Sequence, residues 1–166
     1  MCAGAGHIGL AAVAATPRRL VQVDLSPTAC RWARRNAVTA HLTHRVEVRC
    51  ADLSSALLAH ERFALVIADP PYVPTASIGD HPEDPVLAID GGADGLDLLE
   101  RVLETTARAL VPGGLALIQA RGPDQLADLA RRADLADSRL CLVDVRQVDA
   151  QRAIGLWALD PAHLAD

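Results

Sequence analysis

Apolar and polar positions along this chain fall into blocks that switch between two periods. Short aliphatic runs bounded by turn residues read as strands buried on both faces. Between them lie longer stretches with apolar positions three and four apart, the stripe of a helix. Leu20-Val21-Gln22-Val23-Asp24 is one such strand, and Phe63-Ala64-Leu65-Val66-Ile67-Ala68 is the plainest. Arg45 to Cys50 alternates and ends at Ala51-Asp52-Leu53, and Leu115 to Gln119 is another buried run. Arg139 to Val148 and Arg152 to Leu159 form a final pair joined by a tight turn at Asp149-Ala150-Gln151. Helices are predicted from Leu10 to Ala15, from Ser26-Pro27 to about Ala40, from Leu96 to Leu110 and from Asp124 to Arg132, with a short one after Asp52-Leu53. Serine before proline is an N-cap and first-turn pair, and Pro112-Gly113-Gly114 is a helix stop. The alternation predicts an α/β fold with a mostly parallel twisted sheet and a C-terminal antiparallel hairpin. Pro74 to Asp94, rich in Pro, Gly and Asp, reads as a long loop, and loops of that length tend to be functional.

The plainest strand stops at Asp69-Pro70-Pro71-Tyr72-Val73. Two consecutive prolines cannot donate to a sheet ladder, so the strand ends there and the backbone stiffens. A rigid turn carrying an acceptor oxygen and an aromatic face suits a planar, NH-bearing group. Tyr72 is one of only four aromatic residues in the chain, so its place at this turn points to chemistry rather than packing.

Composition narrows the class. A length of 166 residues predicts one domain, residues 1–166, with a sizeable core. No apolar stretch approaches the ~18 residues of a membrane span, and no signal peptide is visible. The cysteines at 2, 30, 50 and 141 are widely spaced, form no zinc pattern, and read as buried reduced thiols of a cytoplasmic protein. No histidine cluster suggests a metal. All sixteen basic residues are arginine, and the net charge of −5 speaks against a broadly basic nucleic-acid surface.

Gly4, Gly6 and Gly9 satisfy G-x-G-x-x-G, and Asp24 ends the next strand twenty residues after the first glycine. Such a loop lets a ligand approach the backbone, while the strand-end acid can accept both hydroxyls of a ribose. Asp52 follows the next strand in a similar place and can take a hydrogen bond from an adenine amino group. Two ligands with an adenosine half fit: a nicotinamide dinucleotide and S-adenosylmethionine. A Tyr-x-x-x-Lys acid–base pair is impossible without lysine, and Asp-Pro-Pro-Tyr has no evident role in hydride transfer, whereas it has one in methyl transfer to nitrogen.

With those residues in place, the chain resembles the class I S-adenosylmethionine-dependent methyltransferases, and among them the family that methylates the glutamine side-chain nitrogen of peptide-chain release factors. The resemblance rests on Cys2-Ala3-Gly4-Ala5-Gly6, Asp24, Asp52-Leu53, Asp69-Pro70-Pro71-Tyr72-Val73-Pro74 and the segment Leu87 to Asp97. It implies a Rossmann-like fold with strand order 3-2-1-4-5-7-6. It also implies that Gly4, Ala5, Gly6, Gly9, Asp24, Leu25, Asp52, Leu53 and Asp69 hold the cofactor, S-adenosylmethionine. Asp69, Pro70, Pro71 and Tyr72 would hold the acceptor. Of these, Asp69 and the carbonyl of Pro70 would orient its nitrogen and Tyr72 would stack on it, making Asp69, Pro70 and Tyr72 the catalytic set. The expected partner is a release factor or another protein substrate; a nucleic-acid base amino group ranks second, a small-molecule amine third, and no membrane partner is expected.

Two departures qualify the resemblance. The family's tetrapeptide usually begins with asparagine, whereas here it begins with Asp69; acid-first versions occur in DNA adenine and ribosomal-RNA guanine methyltransferases. Neither a first strand nor an N-terminal helical substrate domain precedes the glycine loop, so the sheet is expected to lack its first strand, and an inactive cofactor-binding module is a competing expectation. Trp32 and Trp157 are expected in packing roles, Arg31, Arg34 and Arg35 on a solvated helix face, and His7 near the cofactor. Residues Pro74 to Asp84 are expected to form a lid over the turn, with Asp90 bracing it.

Overall fold

A computed structural model describes residues 1–160, which divide into two compact units with a boundary between Leu58 and Ala59. The first unit contains α1 (His7–Ala14), β1 (Leu20–Asp24), α2 (Pro27–Thr39) and β2 (Val46–Cys50). Strands β1 and β2 pair in parallel, from Leu20 opposite Val46 to Asp24 opposite Cys50. Ser26 caps α2 by accepting the Ala29 N–H at 3.3 Å, with Pro27 at the first helical position. Leu10, Val13, Ala37 and Leu42 form the unit's apolar core, with Leu20 and Val46 packed against it. The expected helix after Leu53 is absent. Instead, Asp52 Oδ1 accepts both the N–H and the Oγ–H of Ser54, at 2.9 and 2.7 Å, and this local alternative to helix closes a turn.

The second unit contains β3 (Phe63–Ala68), a 3₁₀ turn (Thr75–Asp80), α3 (Val86–Ile89), α4 (Asp97–Ala109), β4 (Leu110–Ala120), α5 (Pro123–Leu135), β5 (Leu140–Gln147) and β6 (Ala153–Leu159). Its sheet runs β3-β4-β6-β5, with β3 parallel to β4 and β6 antiparallel to both neighbours. Each unit's sheet thus has the strand order that the resemblance implies for its strands. Buried Leu99, Val102, Ile118, Leu126, Leu129 and Trp157 form the core, the five aliphatic side chains each contributing about 1.5–3 kcal/mol of hydrophobic stabilisation. Asp97 and Glu100 in the first turn of α4 and Arg108 in its last complement the helix dipole.

Pro112-Gly113-Gly114 follows the end of α4 as expected, yet it lies inside β4 rather than before it. Pairing begins at once with Phe63 opposite Leu110 and then jumps to Leu65 opposite Leu115, so the Pro-Gly-Gly residues bulge out of the ladder. The loop from Pro74 to Asp94 is folded rather than structureless, through the 3₁₀ turn and α3.

Of the two tryptophans, Trp157 is fully buried and Trp32 is not. Trp32 is 50% exposed on the outer face of α2, with the Arg35 guanidinium 5.1 Å from its ring centre, so a cation–π contact replaces the expected packing role. Arg31 and Arg34 on the same helix donate to Thr28 Oγ1 and the Val48 carbonyl, as a solvated face would. All four cysteines are free, but only Cys30 is buried and Cys50 is exposed, because Cys50 ends the short β2 with its thiol at the surface. Burial first, and then the neighbouring Cys50 thiol, push Cys30 up to about 11. Among the described residues no helix is long and apolar enough to cross a membrane.

Candidate active site

In the first unit, the chain enters α1 through a turn whose glycines have three different jobs. Gly4 has φ +54°, and no heavy atom lies within 4 Å of where its Cβ would be. Gly6, at φ +79°, would place a Cβ 2.5 Å from Gln22 Nε2, and Gln22 in turn donates to the Gly6 carbonyl at 2.7 Å. A Cβ on Gly9 would meet Gln22 and Leu20 at 3.1 Å. Only Gly4 therefore leaves backbone open to a ligand; Gly6 and Gly9 let helix and strand approach closely.

Asp24 ties this loop to the end of β1. Its Oδ2 accepts the Gly4 N–H at 2.7 Å and its Oδ1 accepts the Ser26 N–H at 2.9 Å. A carboxylate has about four lone-pair directions, so these two bonds hold it still without exhausting it. Beside it, Leu25 is 52% exposed, an apolar surface at the strand end, whereas Leu53 is buried in the core. Ala5 accepts from Asn36 Nδ2 at 2.9 Å through its carbonyl, a tie from α2 that the sequence did not signal. Asp52 is committed, through Oδ1, to its own turn. His7 opens α1 and is exposed. A nucleoside-bearing ligand fits this donor set: open backbone at Gly4, a fixed carboxylate and an apolar face.

In the second unit, the turn after β3 is held from three sides. Val73 donates to the Ile89 carbonyl and accepts from the Gly91 N–H, both at 2.9 Å, and pairs with Asp90 as an isolated parallel bridge. Asp90 Oδ1 accepts from Thr75 Oγ1 at 2.7 Å and from the Gly92 N–H at 3.0 Å, and these two bonds hold its carboxyl below the usual range. It braces the loop, as expected. Gln125, from α5, donates to the Tyr72 carbonyl at 2.9 Å while accepting the Arg121 N–H at 2.8 Å. The segment from Asp90 to Gly95 lies so close that a Cβ on Gly91 would stand 2.9 Å from the Pro71 carbonyl oxygen, and one on Gly95 only 2.4 Å from that of Tyr72. This is why the segment is glycine-rich: it packs backbone on backbone.

The chemistry-bearing groups of the turn meet a residue the sequence did not single out. Gln119 Nε2 donates to Asp69 Oδ1 at 2.8 Å and to Tyr72 Oη at 3.2 Å. The signal was there in outline: a glutamine ends the apolar run of β4, and the register that sets Ala68 opposite Ile118 brings the next residues, Asp69 and Gln119, to one level. Burial raises the Tyr72 phenol and the Asp69 charge adds to this, partly offset by the Gln119 hydrogen bond and Arg152. Tyr72 is therefore a neutral phenol at physiological pH.

Asp69, Pro70 and Tyr72 line a cleft of about 620 Å³. Its other walls include His81 and Asp84 from the loop and Arg152 from the hairpin turn, where Arg152 Nε donates to Asp149 Oδ2 at 2.8 Å. Pro70 is buried, Pro71 and Tyr72 half-buried and Asp69 exposed. The hairpin turn's place in this wall was not legible in the sequence. Nor was the proximity of His81, Glu83 and Asp84, each of which offers one ligand atom within 4.8 Å of the others on an exposed loop where no metal was expected.

Residues 1–81 match the family model of the methyltransferase small domain. The chain is 38% identical over 82% of its length to the release factor glutamine methyltransferase of Bifidobacterium longum, covering 52% of that protein. It is 36% identical over 72% of its length to the ribosomal protein uL3 glutamine methyltransferase of Bordetella pertussis, covering 41% of that protein. The chain thus spans about half the length of the curated relatives it matches. Among solved structures, the ribosomal protein L11 methylase of Lactobacillus delbrueckii shares its fold, with a TM-score of 0.69 at 12% identity over 96% of this chain and 67% of that one. By these matches the chain belongs to the class I S-adenosylmethionine-dependent methyltransferases, and over most of its length it is similar to the two glutamine methyltransferases above.

Proposed function

We propose that this chain is the catalytic part of an S-adenosylmethionine-dependent N-methyltransferase acting on the side-chain amide of a glutamine in a protein, with a release factor as first candidate and ribosomal protein uL3 as second. The observation that carries the reading is the stiff turn after β3, which presents Asp69 and Tyr72 at one cleft. The names of the relatives supply the acceptor.

Residues of the first unit hold the cofactor: open backbone at Gly4, the Asp24 carboxylate for the ribose, and Leu25 as an apolar face. The bound cofactor supplies an electrophilic methyl group on a positively charged sulfur. Residues of the second unit hold the acceptor. Asp69 and the Pro70 carbonyl accept the two N–H bonds of the target amide, and Tyr72 stands beside them in the same cleft. The Asp69 charge favours positive charge developing on that nitrogen, so orientation and electrostatics provide the acceleration without a tuned base. The surrounding proline and glycine backbone keeps these groups in place without reorganisation.

Calorimetric titration with S-adenosylmethionine tests the first half, and tritiated methyl transfer to purified release factor and uL3, mapped to a glutamine by mass spectrometry, tests the second. Absence of cofactor binding rejects the enzyme reading. Binding with methyl transfer only to RNA, steeply weakened by salt, replaces the protein acceptor with a nucleic acid.

A further inference from the structure

Gln119 has no part in the reading above, yet it touches both polar ends of the acceptor turn. An ionised carboxylate only accepts hydrogen bonds, so the end of Gln119 facing Asp69 is its NH₂. The same NH₂ faces the phenol oxygen. Tyr72 therefore accepts from Gln119, and its own proton is turned elsewhere. One amide sets the direction of two hydrogen bonds. Gln119 itself is fixed: it lies half-buried in β4, between fully buried Ile118 and Ala120.

We propose that Gln119 is the positioning residue that sets the polarity of the acceptor site, holding Asp69 as an acceptor and Tyr72 as a donor so that together they grip both ends of a carboxamide. The NH₂ of the target is taken by Asp69 and its carbonyl oxygen receives the Tyr72 hydroxyl. This rests on the glutamine-methylation reading and adds to it a reason for choosing an amide over an amine. An amine without a neighbouring carbonyl leaves the Tyr72 donor unmatched, at a cost in binding.

The same pairing accounts for the acid that stands where the resembled family has asparagine. Asparagine both donates and accepts, whereas Asp69 can only accept. A neighbour that supplies an NH₂ is the complement an acid needs, and Gln119 is that neighbour. Asp69 and Gln119 thus form one unit, a carboxylate and a carboxamide sharing one negative charge.

Gln119→Glu tests this. At alkaline pH it sets two carboxylates against each other and turns the Tyr72 hydroxyl toward the introduced carboxylate. At lower pH the pair shares a proton, and a protonated glutamic acid donates to Asp69 as glutamine does. Methyl transfer to release factor or uL3 should fall about a hundredfold in kcat at pH 8 and recover toward pH 6, a profile the parent protein lacks. Gln119→Leu, which leaves no donor, should lose activity at every pH.

A second readout needs no acceptor. Tyr72 is the sole tyrosine, so alkaline difference absorbance reports its ionisation directly. Both variants should raise the phenol pKa, Gln119→Glu by about one unit or more because it adds a negative charge. Unchanged tyrosine titration in both variants, or a pH-independent loss in Gln119→Glu equal to that in Gln119→Leu, overturns the proposal. If the parent protein binds cofactor but methylates neither protein, the glutamine reading fails by itself, and the tyrosine titration still decides whether Gln119 sets the polarity.

Discussion

Gly4 has open space where a side chain would stand, whereas Gly95 has the Tyr72 carbonyl oxygen 2.4 Å from the same point. The difference separates two kinds of turn. The glycine loop of the first unit is open at Gly4 and is tied down by Asp24, Gln22 and Asn36. The proline turn of the second unit is closed and over-determined, held by Asp90, Gln119, Gln125 and a glycine-rich backbone packed against it. A loop that a ligand lies against must leave the space beside its backbone bare. A turn that aims side chains at a reacting atom needs backbone fixed to fractions of an ångström.

Gly95→Ala breaks the contrast most severely. Left-handed strain and a collision with backbone together cost about 3 kcal/mol, read from denaturant unfolding, and methyl transfer should fall to background. Asp69→Ala leaves the turn standing but removes its acceptor oxygens; kcat should drop about a hundred- to a thousandfold while cofactor affinity changes little. Asp24→Ala does the reverse, weakening cofactor binding by calorimetry about ten- to a hundredfold, the worth of hydrogen bonds to a charged group. If both aspartate variants weaken cofactor binding equally and do nothing else, Asp69 is not an acceptor-orienting residue. Gly4→Ala should cost the fold only the strain of its positive φ, about 1 kcal/mol in denaturant unfolding, while its methyl enters the space proposed for the cofactor and weakens calorimetric binding.

The mildest effect is on acid sensitivity. Asp90 has its folded-state pKa held below the ordinary carboxylate value of about 3.9 by Thr75 and Gly92. What it contributes to stability is therefore complete above that value and is lost as pH falls through the lowered one. Thr75→Val removes one of the two bonds, and the Asp90 carboxyl should titrate closer to the ordinary value by NMR.

The aliphatic runs placed five of the six described strands to within one residue, and β4 apart from its first five residues. Such a run bounded by turn residues marks a strand even where, as in β3, only Val66 and Ala68 are buried rather than both faces. Phe63–Ala68 and Leu20–Asp24 are bounded in the structure where the sequence bounds them. What the pattern could not resolve were places where two local preferences compete. Pro112-Gly113-Gly114 stops α4 and is then absorbed as a bulge in β4, since pairing with β3 outweighs the turn chemistry of three residues. Asp52 and Ser54 close a turn where an apolar stretch suggested a helix. In the site, Asp24, Asp69 and Tyr72 were legible because each follows or ends a strand. Gln119, Gln125 and Arg152 were not, because their importance comes from register and from a hairpin reaching a cleft 80 residues away in sequence from Tyr72, relations that exist only once the sheet has formed.

Part of the support of the proline turn comes from carbonyls and N–H groups of Val73, Ile89 and Gly91, which are the same whatever side chains surround them. The walls of the cleft are the opposite: His81, Asp84, Arg121 and Arg152 are side chains on surface segments that lie between the strands and helices. Heritable variation can therefore rewrite the walls one residue at a time, trading one acceptor for another, while the turn proposed to perform the chemistry is left untouched.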